Sequence, residues 1–181
     1  MHAHARHVSG KIVAGLFELG LTGAVTPELE AHLAAEGIEL TRLRDSYPYA
    51  TWVRGLEITA SELYEGEVLS DALRKLGVRV VTTIKASGLI KGAYLTMGKL
   101  MGPKRVLMQI NGQPVRGADF LKVEVREKGG KHLEIHLNDG ALGDFVAGAL
   151  EAVLEGLGAR RPKVQPMITT PERCVLDVVW S

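Results

Sequence analysis

His132, Glu134 and His136 alternate along one stretch, so on a strand their side chains share a face. Two imidazoles and a carboxylate are the ligands of a metal ion or the partners of a proton transfer. Four residues of strand hold the two histidines about 13 Å apart, too far to share one ion, and a solvated polar face is the better account. Cys174 is the single thiol. It stands in an apolar alternation with no histidine near in sequence and no helix N-terminus to favour its thiolate, which predicts a packed, inert side chain. Gly92 to Lys99 approaches the spacing of a phosphate-binding loop, but five residues rather than four separate Gly92 from Gly98. Leu100 also occupies the place of the magnesium-binding serine or threonine. Asp139 and Asp144 flank Gly140 and Gly143 where a helical pattern begins. Anions gather at such N-termini, yet carboxylates repel them, and capping the helix is the simpler role. His2, His4 and His7 could catch a metal, but a frayed terminus lacks the surrounding hydrogen bonds that fix ligands. No acid, base and nucleophile converge, so the expectation is a non-enzymatic protein.

The elements that carry these residues are legible from period. Leu142, Phe145, Val146, Ala149, Leu150, Val153, Leu154 and Leu157 recur every three or four residues and predict a long helix over about 141–157. It must lie on a sheet. Leu121, Val123 and Val125 alternate with charged residues, as do Leu133, Ile135 and Leu137, and Gly129-Gly130 lies between the two runs. Of the two registers that keep the apolar residues on one face, one opposes Glu124 to Glu134. The other opposes Arg126 to Glu134 and Glu124 to His136, and is preferred because it avoids a like-charge pair. Val164 to Ile168 is a third strand, kept to an edge or a bulge by Pro166, and Cys174 to Trp180 a fourth.

The first half is helical. Lys11 to Leu19 has one apolar face, and Thr26-Pro27 opens a second helix as N-cap and first residue. Ser46 and Pro48 start a third, with Tyr49 and Trp52 in its buried set, and Gly66 to Leu76 is a fourth that Gly77 stops. Val78 to Ile84 is read as helix because the pattern continues to Met101, interrupted by Gly88, Gly92, Gly98 and Gly102. Pro103-Lys104 opens a short helix before a loop over 111–118. The expected fold class is therefore α+β: a helical half, a four-stranded antiparallel sheet and a long helix packed on it. Residues 1–8 form a flexible terminus. Residues 9–181 form one domain, with its helical part over about 11–112 and its sheet-plus-helix part over about 118–181.

With 46% hydrophobic residues the chain has enough material for a core. Its 22 basic and 21 acidic side chains give a net charge of +1, which argues against a nucleic-acid surface and offers no electrostatic reason for membrane binding. No segment is apolar enough to span a bilayer, the first residues have no signal core, and one cysteine makes no internal disulfide; together these predict a cytoplasmic protein.

Short pieces in a fixed order carry a resemblance over most of the chain, from about Ser9 to Trp180. They are Gly10-Lys11-Ile12-Val13, Tyr47-Pro48 with Trp52, Leu76-Gly77, Gly102-Pro103-Lys104-Arg105 and Val178-Val179-Trp180. In these the chain resembles a lineage-expanded family of uncharacterised proteins found in many copies in myxobacteria. The family brings no activity with it. The order of elements is also similar to the four-vinyl-reductase domain, to trafficking-complex subunits of the same fold and to haem nitric-oxide sensors. That similarity implies a hydrophobic cavity between helices and sheet that receives a small molecule or acyl chain. The sensors hold haem iron through a histidine on a helix before the sheet. Val78 to Met108 contains none, so haem and cofactors generally are not expected, and the clustered cysteines of the four-vinyl-reductase pattern are missing.

The reading that follows is a sensory or ligand-binding domain for a small apolar ligand. Adaptable methionines and repeated glycines motivate the placement, and Trp52, Gly88, Gly92, Tyr94, Met97 and Met101 are the candidate wall. The alternative is a protein-interaction or homodimerisation module without a ligand.

Overall fold

The computed structural model describes residues 6–87 and 92–181, without the side chains of 92–96. Strand β1 (His7–Ser9) leads into α1 (Gly10–Ala14), which runs on as a π-helical turn over Gly15–Gly20. Helix α2 (Pro27–Ala35) begins as its sequence dictates: the Thr26 hydroxyl accepts a hydrogen bond from Leu29 N at 3.2 Å. Ser46–Pro48, expected to open the third helix, instead forms β2. It pairs antiparallel with β1, Val8 opposite Tyr47, and so ties the amino end to the start of α3 (Tyr49–Leu63).

Helix α4 (Leu69–Ala86) is continuous. Gly77, expected to stop a helix, lies in its middle. The reason is packing against α7 (Gly143–Gly156). A Cβ at Gly77 would stand 2.1 Å from the Phe145 carbonyl oxygen, and one at Gly148 would stand 1.9 Å from that of Arg74. The two glycines thus let the backbones of α4 and α7 meet, which outweighs the cost of glycine within a helix, about 1 kcal/mol each. Helix α5 (Gly92–Met101) ends where Gly102 takes φ +80°, and α6 (Pro103–Gln109) starts anew with proline in its first turn.

The period then changes to two. Strands β3 (Pro114–Val115), β4 (Ala118–Gly129), β5 (His132–Leu137), β6 (Lys163–Thr170) and β7 (Arg173–Val179) form one antiparallel sheet in the order β3-β4-β5-β7-β6. The α+β class holds, with the four expected strands joined by the short β3 and the helical half holding the β1–β2 pair. Arg126 faces Glu134 and Glu124 faces His136, the register that avoids opposed carboxylates. A bulge between Glu127 and Gly129 shortens the connecting turn by one residue. Strand β6 is an edge strand, and its register shifts between Pro166 and Ile168, where proline cannot extend the ladder.

Apolar burial falls into two clusters. One fills the helical half around Leu21, Leu33, Tyr47, Trp52, Leu56 and Leu76. The other joins the inner face of the sheet (Val123, Val125, Leu133, Ile135, Cys174, Leu176 and Val178) to Ala147 and Leu154 of α7 and Leu107 of α6. Val115 and Val146 pack against both, so the clusters meet along a seam.

Candidate functional site

Two polar ties cross that seam. The first is built on Asp139, the residue that follows β5 and Asn138. The Asn138 side chain extends the β4 pairing beyond the last strand residue: its oxygen accepts from Lys122 N at 2.6 Å, and its amide donates to Phe120 O at 2.7 Å. The chain then turns inward at Asp139, which is only 2% exposed. A carboxylate so buried needs donors. The Tyr49 hydroxyl donates to Oδ1 at 2.6 Å, Ala141 N donates to the same oxygen at 2.9 Å, and the Arg6 guanidinium donates to Oδ2 at 2.8 Å. The Tyr49 ring meets Phe120 edge-on at 4.8 Å, and Arg6 lies over the same ring at 5.5 Å. Burial first, and then the neighbouring carboxylate, push the Tyr49 phenol far above the usual tyrosine range.

In front of this cluster lies a groove of about 690 Å³ between α3 and the β6–β7 hairpin, bordered by Val53, Arg54, Gly140 and Thr170. Gly140 makes the hairpin's approach possible, since a Cβ there would stand 1.8 Å from Thr170 O. With both Asp139 oxygens engaged and the Tyr49 proton committed, the cluster is a tie between elements and has no free acid or base. Asp139 was expected to cap α7. Helix α7 has no side-chain cap, and the carboxylate bridges the residue before β1, α3 and the loop before α7 instead. Its partners lie 133 and 90 residues away, and no local pattern announces them.

The second tie is Arg74 on α4. It pairs with Glu151 of α7 and donates to Val164 O at 2.5 Å, while Glu151 accepts from Val164 N at 3.0 Å. Helices α4 and α7 and strand β6 are thereby joined. A groove of about 550 Å³ runs beside it, lined by Tyr64, Arg74, Val78, Arg79, Thr82 and Glu151.

The six candidate wall residues do not share one setting. Trp52 is 4% exposed within the helical cluster. Met97 is 58% exposed, and Met101 borders a surface groove with Lys104, Arg105, Met108 and Gln109. Gly88 and the surroundings of Gly92 and Tyr94 lie outside the described residues, as do His2 and His4. His132 Nε2 sits 2.5 Å from Asp177 Oδ1, and His136 stands between Glu134 and Arg173 on the outer face of the sheet. Among the described residues no group of three or more His, Cys, Asp or Glu side chains is placed to hold a metal ion. Cys174 is buried, within 3.8 Å of the Thr169 hydroxyl, and burial pushes its thiol upward.

The chain belongs to the family described as "protein of unknown function (DUF2378)", whose model matches residues 6–181. No curated protein matches it. Among solved structures it is similar to an Fe(II) unliganded H-NOX protein from K. algicida, at TM-score 0.66 and 12% identity over 96% of both chains. It is similar to an H-NOX structure from work on heme distortion in that family, at TM-score 0.62 and 13% identity, covering 96% of this chain and 95% of that one. It is also similar to an oxygen-binding H-NOX domain related to soluble guanylate cyclases, at TM-score 0.60 and 12% identity over the same shares. The fold is H-NOX-like.

These neighbours correct the expectation that no cofactor concerns this chain and that haem in particular is set aside. That expectation rested on one missing histidine, and the architecture proves to be that of domains studied for their heme. The residues present do not fit a haem held through a histidine on the helices that lead into the sheet, and His32 on α2 is exposed and paired with Glu62. Residues 78–108 contain none, and the described histidines, His7, His32, His132 and His136, stand on β1, on α2 and on the outer face of the sheet. The sulfur of Cys174 faces Gly143, where an added Cβ would meet it at 2.8 Å.

Proposed function

We propose that this chain is a sensory ligand-binding domain that takes a small apolar molecule or acyl chain at the seam between its helical half and its sheet. The observation that carries this reading is the likeness to H-NOX domains along 96% of this chain and at least 95% of theirs, one of them an oxygen complex. A seam between two apolar clusters, closed at separate points by the Asp139 and Arg74 ties, supports it. Such a seam can part without exposing unpaired polar groups, provided the ties hold or re-form. In this reading the chain binds its ligand without transforming it.

Native mass spectrometry of protein purified from cells supplied with a haem precursor, with solvent extraction and an absorption spectrum, tests the reading. The expected result is a stoichiometric adduct, lost on extraction, whose return raises the melting temperature. A Soret band would identify that adduct as haem, held without a histidine from residues 78–108. An apo mass throughout, with no thermal shift from fatty acids, haem or apolar gases, would overturn the reading.

A further inference from the structure

The near-zero net charge conceals a segregation. Between Ala72 and Ala118 there are nine lysines and arginines and no aspartate or glutamate, which leaves the rest of the chain with 13 basic against 21 acidic residues. Arg74, Lys75 and Lys104 are paired with Glu151, Glu67 and Glu127, all outside that stretch. Lys99 and Arg105 are exposed and have no acidic partner among the described residues.

On the same elements the apolar residues turn outward. Gly98 faces inward, where an added Cβ would meet Leu157 at 2.7 Å. On the faces of α5 turned away from it, Leu100 is 83% and Met97 58% exposed, with Met101 beside them at helical spacing. Met101 continues into the α6 surface, where it shares a groove of about 480 Å³ with Lys104, Arg105, Met108 and Gln109. Large apolar side chains standing in water next to unpaired cations mark an interaction surface.

We infer that this α5–α6 face docks on an anionic lipid surface. A bilayer of acidic lipids rewards both features together: its headgroups attract the lysines and arginines, and its acyl boundary accepts Leu100 and the methionines. A soluble polyanion rewards the cations alone and leaves Leu100 and Met97 in water. A second copy would set like charge against like. The whole-chain charge balance, which offered no reason for membrane binding, averaged this face away.

Sedimentation with vesicles of phosphatidylcholine, alone or with one quarter phosphatidylserine, tests the inference on the whole chain. The expected preference for the acidic vesicles is about tenfold or more at low salt, shrinking as salt screens the headgroups. Lys99→Glu with Arg105→Glu abolishes the preference. Leu100→Ser weakens binding severalfold while its salt dependence remains. Lys131→Glu, at the exposed turn between β4 and β5, leaves binding unchanged. These side chains are exposed, so the variants keep the parent's melting temperature; the lipid and salt comparison on the unaltered protein stands without them. Equal partition to both vesicles, or none to either, overturns the inference. Binding to heparin as tight as to acidic vesicles and indifferent to Leu100→Ser also overturns it, by assigning the face to a soluble polyanion.

Discussion

A buried carboxylate is stable only in company, and Asp139 draws its company from distant parts of the chain: Arg6, Tyr49 and the backbone of Ala141. Tyr49→Phe removes one of those donors and is expected to cost about 1–2 kcal/mol, read as a fall in melting temperature. Asp139→Ala leaves Arg6 and Tyr49 unpaired together and is expected to cost about 3 kcal/mol. The pH dependence has a definite sign. Tyr49 is held protonated in the fold, because burial and Asp139 raise its titration above that of the unfolded chain. Its contribution is complete below the ordinary tyrosine value of about 10 and is lost as pH rises beyond it. Urea titrations from neutral to alkaline pH should therefore show the wild type losing stability faster than Tyr49→Phe. In the sequence Asp139 looked like a helix cap, because an acidic residue before a glycine and an apolar helix has that local signature. What it does instead depends on where the amino end returns, and no spacing encodes that.

At the scale of elements, glycine was the ambiguous letter. Gly77 read as a stop and Gly102 as one of several interruptions, yet Gly77 lies inside a helix and Gly102 separates two, taking φ +80° between α5 and α6. Gly77 is a contact, and its partner Gly148 makes the reciprocal contact. Gly77→Ala or Gly148→Ala should cost about 2–3 kcal/mol by forcing α4 off α7, whatever alanine gains in helix propensity. Gly15→Ala, with nothing within 4 Å of the added carbon, should be neutral or stabilising by up to about 1 kcal/mol. A reversal of that contrast in thermal melts would show that the helices do not meet backbone to backbone. The strands were far more legible than the helices, down to the Arg126–Glu134 register, because a period of two with charges on one face leaves few pairings open. Helix contacts leave no comparable trace, since any apolar stripe can lie on any other.

For the whole molecule, the two clusters and their seam explain why the class of fold could be read while the site could not. Trp52 and Met97 were grouped by composition, whereas the fold buries one in the helical core and turns the other to water. Charge shows the same lesson: a sum over all residues hides where the cations gather. The sheet supplies a last consequence. Its outer strands are the two-residue β3 and the β6 edge interrupted after Pro166, with Met167 and Ile168 exposed beside the irregularity. An uninterrupted, sticky margin of that kind invites neighbouring chains to zip on and grow into aggregates. Pro166→Val should repair the ladder and give more concentration-dependent assembly by light scattering than the parent. One imino acid stands where the backbone would otherwise offer itself to strangers.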